Sequence, residues 1–419
     1  MRRAHVVGAG LAGLGAAVSL TEAGFTVTLS DAAPHAGGRC RSYHDPKLGL
    51  TIDNGNHLLL SGNRRARAYL RTIGAEDRLH GPAEAAFDFV DLRDGTRWRV
   101  RPNRGPLPWW VLTRGRRVPD TQPADYLPLA RLLMPNGDAV LADRVRTDGP
   151  LWERLLEPLF VAALNTPAAG GSARLAGAIV SSTLAKGAGA CRPLVARPTL
   201  AAAFVDPALA WLERHGAAIR YGRRVRAIEQ IGGRAAALVF ADGVETVGDA
   251  PVVLALPAWG AAELLPGLTV PDAHHAIVNA HFATTPAPGT PPILGVIGGT
   301  AEWIFALDDR ISVTISAADR FCDAARESLA RRIWNDVAAA LRLPADLPPW
   351  QIVRERRATF AATPAQDRRR PAAATHLANL FLAGDWTQTG LPATIEGALL
   401  SGETAARLAA RHAARDGRR

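Results

Sequence analysis

Ala4-His5-Val6-Val7-Gly8-Ala9-Gly10-Leu11-Ala12-Gly13-Leu14 opens the chain, and Phe25-Thr26-Val27-Thr28-Leu29-Ser30-Asp31 follows it. The first four residues are a short β-rich run, 14–23 reads as a helix, and 25–29 as a second strand, so the stretch is a βαβ unit opening an α/β domain. Each glycine of the turn answers a different need. Gly8 permits the tight turn, Gly10 lets backbone N–H groups approach a pyrophosphate, and Gly13 lets the helix lie close to the strand. The helix N-terminus stabilises the phosphate charge. Asp31 stands at the expected distance after the turn, where a carboxylate can accept hydrogen bonds from a ribose diol. A dinucleotide is therefore predicted, with NAD and FAD both admissible at this point.

The next segment, Gly37-Gly38-Arg39-Cys40-Arg41-Ser42, favours FAD. Two glycines allow the backbone close to a ligand, and Arg39 and Arg41 offer bidentate donors for phosphate. Taken locally, the same loop could be a solvated basic turn.

A chain of 419 residues implies two or three domains. Strand-like runs at 218–221 and 225–228, around Gly222-Arg223-Arg224, and then Val252-Val253-Leu254-Ala255-Leu256 suggest a return to the nucleotide domain. A last strand at 380–383, a loop from Gly384 and a helix over 395–414 can finish the sheet that the N-terminus began. The stretch 64–203 reads as mainly helical, interrupted by an irregular basic stretch, 97–119. Runs at 276–282, 293–297, 303–307 and 311–315 suggest a sheet forming the wall of a cavity. The predicted fold is α/β, a discontinuous Rossmann-like FAD-binding domain (1–63, 204–257 and 364–419) with a mixed α+β substrate-binding domain (64–203 and 258–363).

The early loops, together with Phe381-Leu382-Ala383-Gly384-Asp385-Trp386-Thr387, Pro392-Ala393-Thr394-Ile395-Glu396-Gly397-Ala398 and Ser401-Gly402, resemble the amine oxidase and phytoene desaturase superfamily of flavoproteins. These matches bracket the chain. Within that superfamily, Ile52-Asp53-Asn54-Gly55-Asn56-His57, the segment from Leu156 to Asn165-Thr166, and Ile277-Val278-Asn279-Ala280-His281 are most similar to the squalene-associated FAD-dependent desaturases of bacterial hopanoid clusters, the hydroxysqualene dehydroxylases. The resemblance implies FAD, held by Gly8, Gly10, Leu11, Ala12, Gly13, Asp31, Gly38, Arg39, Asn54, Gly55, Val225, Gly384, Asp385, Thr394 and Ile395. Asp31 would bind the adenosine ribose, Arg39 the pyrophosphate side, and Val225 would present backbone to adenine. Asp385 would serve the ribityl or pyrophosphate region, and Thr394 and Ile395 would place helix N-terminal N–H groups near the flavin carbonyl end. Thr394 and Glu396 could also do no more than cap a surface helix. Asp53 to His57 falls where this superfamily runs its chain past the isoalloxazine, so His57 is the candidate catalytic proton donor, beside the alternative of a packed structural histidine.

The implied activity is reductive removal of the hydroxyl of hydroxysqualene, a long apolar isoprenoid, in squalene and hopanoid biosynthesis, with the electron donor left open. A phytoene or carotenoid desaturase, an amine oxidase and a non-catalytic prenyl-lipid carrier are the competing readings. Retention of both the early Gly/Arg loops and the late Gly-Asp-Trp-Thr loop argues against a carrier, which does not need them.

The remaining features bound the setting. Net charge is +10, almost wholly from arginine, since Lys47 and Lys186 are the only lysines. Excess positive charge favours anionic surfaces. No zinc-finger spacing, RNP-like motif or basic-region heptad points to nucleic acid, and none is expected as a partner. Trp98, Trp109 and Trp110 among the arginines of 97–117 could form an interfacial patch on anionic membrane, or an ordinary solvated loop. The basic tail from Arg407 to Arg419 is similarly open. His274, His275 and His281 lack acidic or thiol partners at ligand spacing, so no metal is expected. The uncharged stretch 273–301 carries histidines, Asn279 and four prolines, which a spanning helix would not tolerate. Cys40, Cys191 and Cys322 read as reduced thiols. Without a secretory pattern at the start, the expectation is a cytoplasmic protein with peripheral contact at the inner face of the cell membrane.

Overall fold

In the computed structural model, which describes residues 2–135 and 137–416, the strand Arg2–Val7 occupies the centre of a five-stranded sheet. The order across the sheet is Ala218–Arg220, Phe25–Ser30, Arg2–Val7, Val252–Leu254 and Leu380–Leu382, and every pairing is parallel. Strands covered on both faces read as apolar runs, as Val252–Leu254 and Leu380–Leu382 do, whereas Phe25–Ser30 alternates with Thr and Ser and Ala218–Arg220 is a partly exposed edge. Val6, Val7, Val252, Val253, Leu254, Leu380 and Leu382 are accordingly all buried.

The helix Leu11–Glu22 carries no charge before its last residue and is buried along most of its length. Its composition of Ala, Gly and Leu follows from what lies on it. The last helix, Ile395–Asp416, crosses so closely that a Cβ on Gly402 would stand 2.3 Å from the Ala12 carbonyl oxygen. Ala398 to Ala413 supply further small side chains to the same layer. Of the basic tail, Arg418 and Arg419 lie outside the described residues.

A three-stranded antiparallel meander, Val225–Ile231, Arg234–Phe240 and Gly243–Thr246, sits beside this sheet. Asn379 joins the two, accepting from the Ala235 N–H at 2.8 Å and donating to the Ala235 and Ala250 carbonyls.

The second large sheet has seven strands in the order Trp350–Phe360, His274–Phe282, Ile311–Ile315, Trp303–Ala306, Ile293–Ile297, Phe87–Asp91 and Arg97–Val100. Its period of two separates two faces. Val278, Ala280, Phe282, Val313 and Ile315 pack beneath the helix Arg326–Leu341 through Ile333, Trp334 and Val337. The opposite face carries Asn279, His281, Ser312 and Thr314, and it looks toward the loop at 53–57.

One expectation holds with an exception and one is corrected. The stretch 64–203 is mainly helical, but within it Phe87–Asp91 and Arg97–Val100 extend the seven-stranded sheet. The basic stretch from Arg97 is not irregular at its start. Trp98 and Val100 are buried while Arg97 and Arg99 are exposed, which is strand alternation.

Candidate functional site

The glycine turn has the three environments its spacing implies. Gly8 has φ +107°, and a Cβ there would lie 2.4 Å from the Ala255 carbonyl oxygen. A Cβ on Gly13 would fall 1.8 Å from the Gly8 carbonyl oxygen, so helix and strand approach with nothing between them. Around Gly10 no atom lies within 4 Å of where a Cβ would stand. That is the open side, toward which a pyrophosphate would approach the N-terminus at Leu11 and Ala12.

Asp31 caps this arrangement. Its carboxylate accepts the Ala9 N–H at 2.6 Å and the Ala33 N–H at 2.7 Å, which holds one acceptor oxygen beside the glycine turn. The Arg223 N–H donates to the Asp31 carbonyl oxygen, and Val225 begins the meander two residues later. The adenosine-side candidates are thus contiguous in space although nearly two hundred residues separate them in the chain.

Gly37 and Gly38, with φ +103° and +55°, lay the second loop on the first: the Gly37 N–H donates to the Ala9 carbonyl, and a Cβ on Gly38 would be 3.3 Å from Gly10. Arg39 then leaves the loop to pair with Asp385 at 2.7 Å and to donate to the Ala358 carbonyl. Arg39 therefore ties the N-terminal loop to the C-terminal loop and to the long strand Trp350–Phe360. Asp385 is buried, and a lone buried carboxylate would be costly, so the pair stabilises both loops together.

The loop 384–389 has a support that the sequence reading missed. Arg370, itself buried, donates to the carbonyls of Asp385 at 3.1 Å and Thr387 at 2.9 Å, to the Thr389 hydroxyl, and to Asp367. The only signal was the run Arg368-Arg369-Arg370 before Pro371, which does not say which arginine turns inward. Gly384 meets the Trp386 indole, whose N–H donates to the Leu256 carbonyl, and its own N–H donates to Ser401. At the start of the last helix the Thr394 hydroxyl accepts the Gly397 N–H at 3.1 Å, an N-cap that leaves the earlier amides, Ile395 among them, uncommitted. Glu396 caps a different helix, accepting the Arg65 and Ala66 N–H groups at 2.9 Å each.

The loop 53–57 is fixed from below by a buried polar network. Asp53 accepts from Ser42 Oγ at 2.5 Å and the Leu200 N–H at 2.9 Å, and Arg310, almost fully enclosed, stands at 3.5 Å. Burial raises the Asp53 carboxyl above its ordinary pKa, against the pull of these three partners. Asn54 donates to Glu355, and Asn279 donates to the Asn54 carbonyl. Gly55 passes Asn279 so closely that a Cβ would be 3.2 Å from its amide nitrogen. Asn56 donates to Thr314, which donates to Asn279 at 2.8 Å. Thr314 and Arg310 were not legible as site residues, since Thr314 sits in an apolar strand run and Arg310 in the charged turn after Asp308-Asp309, with no motif around either.

His57 follows on this platform, close enough to Arg39 and Asp385 for both charges to act on it. Burial first, then Arg39, push its imidazole down to about 4, with Asp385 opposing. It is neutral at pH 7. His281, hydrogen-bonded to Ser312 at 2.8 Å, is likewise held neutral, pushed down to about 3 by burial and then Arg310. His274 packs edge-on against Trp259, and His275 bonds Asp319 at 2.6 Å. Among the described residues no three His, Cys, Asp or Glu side chains gather as a metal ion would need.

These positions fit FAD. Two glycine loops in contact leave space beside Gly10, a carboxylate marks the ribose side, and an arginine, a buried aspartate and an uncommitted helix N-terminus continue the line toward His57. Comparison with known proteins agrees. The family described as flavin-containing amine oxidoreductase matches residues 11–410. A hydroxysqualene dehydroxylase of Rhodopseudomonas palustris is 53% identical over 96% of this chain and 97% of that protein, and one of Zymomonas mobilis is 50% identical over 97% and 99%. Among solved structures, a putative protoporphyrinogen oxidase from Exiguobacterium sp. 255-15 superposes with TM-score 0.68 at 16% identity, covering 97% of this chain and 98% of that one. Putrescine oxidase bound to putrescine gives 0.67 at 17%, covering 100% and 99%. At those identities the structures speak for the fold alone. The chain belongs to the flavin-containing amine oxidoreductase family and is an FAD-dependent oxidoreductase.

Proposed function

We propose that the chain removes the hydroxyl of hydroxysqualene reductively to give squalene, in squalene and hopanoid biosynthesis. The single observation that carries this reading is the identity of 50–53% to three hydroxysqualene dehydroxylases over nearly their whole lengths. We divide the molecule into an FAD-binding unit, 1–63, 204–257 and 364–419, and a substrate-binding unit, 64–203 and 258–363. The membership of the two large sheets supports that division.

When bound, FAD supplies the two-electron reductant that delivers hydride to carbon. The residues of the chain do the rest. The turn at Gly8, Gly10 and Gly13 with Leu11 and Ala12 binds the pyrophosphate, Asp31 the ribose, and Val225 the adenine. Gly38, Arg39, Gly384 and Asp385 close around the middle of the cofactor, while Asn54, Gly55, Thr394 and Ile395 approach the flavin. His57 follows the Asn56–Thr314–Asn279 platform and is neutral in the free protein; a negative charge beside the ring would raise its pKa, and the imidazolium so formed gives its proton to the hydroxyl, which leaves as water while the ring returns to its neutral form. Phe160, Leu164, Trp303 and Phe305, in the apolar layer between the seven-stranded sheet and the helical segment, exclude water from the carbon that ionises.

An isoprenoid of this length resides in lipid, so the reading includes work at the inner face of the cell membrane. No helix among the described residues is long and apolar enough to cross a membrane. The electron donor is a separate reductant. The deciding experiment incubates the FAD-loaded, chemically reduced protein anaerobically with hydroxysqualene. Squalene is the expected product; unchanged hydroxysqualene would overturn the reading, and oxidation of amines or phytoene by the oxidised, FAD-loaded protein in a separate incubation under air would favour the competing activities.

A further inference from the structure

Among the described residues, the segment 107–134 shows apolar side chains to solvent in a way no other part of the chain does. Of the nine large hydrophobic residues exposed among these, six, Leu107, Trp109, Leu112, Leu127, Leu133 and Met134, fall in this segment, from 50% exposed at Trp109 to 77% at Leu107. The local geometry explains how they come to share a surface. Pro123–Leu133 is a 3-10 helix, with three residues per turn, so residues three apart stand in one row. The row of Tyr126 and Leu132 is buried in the core. The adjacent row, Ala124, Leu127, Ala130 and Leu133, is exposed along its whole length and contains no polar residue. A helix with one face in a core ordinarily offers polar groups on the others. The turn Trp109–Leu112 packs on this helix through the rings of Trp110 and Tyr126, whose centroids are 5.4 Å apart, and presents Trp109 and Leu112 outward.

Charge says what covers this surface. Arg104, Arg114 and Arg131 are exposed and make no ion pair among the described residues. Arg116 lies over the Trp109 ring at 5.1 Å. The acidic side chains nearby are engaged elsewhere: Asp120 with Arg154 and Asp138 with Arg368, each at 2.8 Å, and Asp125 with the Gln122 N–H at 2.7 Å. Exposed leucines and a tryptophan rimmed by free arginines match an anionic lipid surface, with apolar side chains at headgroup depth and guanidinium groups on phosphate.

We propose that this face docks the protein on an anionic phospholipid bilayer. It gives the membrane contact proposed above a location and rests on that contact, not on which isoprenoid is reduced. Of the two readings the sequence left open for the tryptophans, an interfacial patch or a solvated loop, the patch is taken up here in redrawn form. Trp98 and Trp110 are buried core residues, and only Trp109 of the three belongs to the surface.

The test is flotation of the FAD-loaded full chain with vesicles of phosphatidylcholine alone or with phosphatidylglycerol. The expected result is co-flotation with the anionic vesicles only, weakened by high salt. Arg114→Gln with Arg131→Gln should bind about thirty-fold more weakly. Leu127→Ser with Leu133→Ser should bind at least about ten-fold more weakly. Both variants should keep flavin absorbance, melting temperature and turnover of detergent-dispersed hydroxysqualene. The proposal is overturned if wild-type protein ignores anionic vesicles at low salt, if both variants float as wild type does, or if the leucine variant instead converts a dimer to a monomer, which would assign the face to a second copy. Flotation without turnover would leave the docking surface standing and remove the chemistry, and turnover without flotation would do the reverse.

Discussion

At the scale of single residues, the glycine turn distinguishes structural need from ligand need. A methyl at Gly13 collides with backbone at 1.8 Å, whereas a methyl at Gly10 meets no protein atom within 4 Å, and the Gly10 backbone, at φ −74°, suits alanine. Gly10→Ala should therefore leave the apoprotein melting temperature within about 2 °C of wild type while weakening FAD binding by about ten-fold or more. Gly13→Ala should lower the stability of the apoprotein itself by at least about 2 kcal/mol, because helix and strand must separate. Thermal melts of apoprotein beside flavin titrations check the pair, and equal apoprotein melts for both variants would contradict the assignment. The backbone approach at Gly8 and Gly13 was readable because it is local. Arg370 was not, since its worth lies in carbonyls that fold back onto it, and three consecutive arginines give no local reason to choose among them. His57 shows the opposite limit: its motif position is legible in the sequence, but the desolvation and the Arg39 charge that hold it neutral are not.

At the scale of elements, legibility followed burial. Val252–Leu254 and Leu380–Leu382 are covered on both faces and stand out as apolar runs, Phe25–Ser30 shows a clean alternation, and the strands of the nucleotide sheet were all anticipated to within a few residues. Arg97–Val100 was missed although Arg-Trp-Arg-Val alternates perfectly, because the charged half of the pattern drew attention away from its period. Phe87–Asp91 forms a local hairpin with Arg97–Val100 around Asp94-Gly95 and was missed together with it, and only its parallel pairing with Ile293–Ile297 lies beyond local reading. The same element-level logic bears on the crossing of the first and last helices. Gly402 stands 2.3 Å, in Cβ terms, from the Ala12 carbonyl, and Gly15 faces Leu399 at 3.0 Å. Gly402→Ala should push the last helix off the first, costing about 1–3 kcal/mol and displacing the helix N-terminus at Thr394 from the flavin end. A drop in melting temperature together with a shift in the bound flavin spectrum is expected. A variant as stable as wild type would mean that the helices have room to spare.

At the scale of the whole molecule, the candidate cofactor site is made of three stretches that the chain visits hundreds of residues apart: the glycine loops, the start of the meander, and the loop and helix that close the chain. Apart from the central sheet, what joins them is the Arg39–Asp385 pair, the contact of Asp31 with the strand turn at Arg223, and the packing of the last helix on the first. A ligand that touches all three binds only the folded arrangement, so its binding free energy adds directly to folding stability as RT ln(1 + [L]/Kd). At one hundred times Kd this amounts to about 2.7 kcal/mol. Spread over the unfolding entropy of a chain this long, that corresponds to a rise of about 3 °C in melting temperature. The melting temperature of apoprotein titrated with FAD should therefore keep climbing with the logarithm of FAD concentration after the site is saturated. AMP, which would reach only the Asp31 and Val225 end and so bind more weakly, should shift the melt less at equal concentration but equally at concentrations scaled to its own Kd, as mass action requires of a molecule that melts as one body. A larger shift with FAD at matched saturation would show that the C-terminal segment opens separately in the apoprotein and that FAD is what closes it.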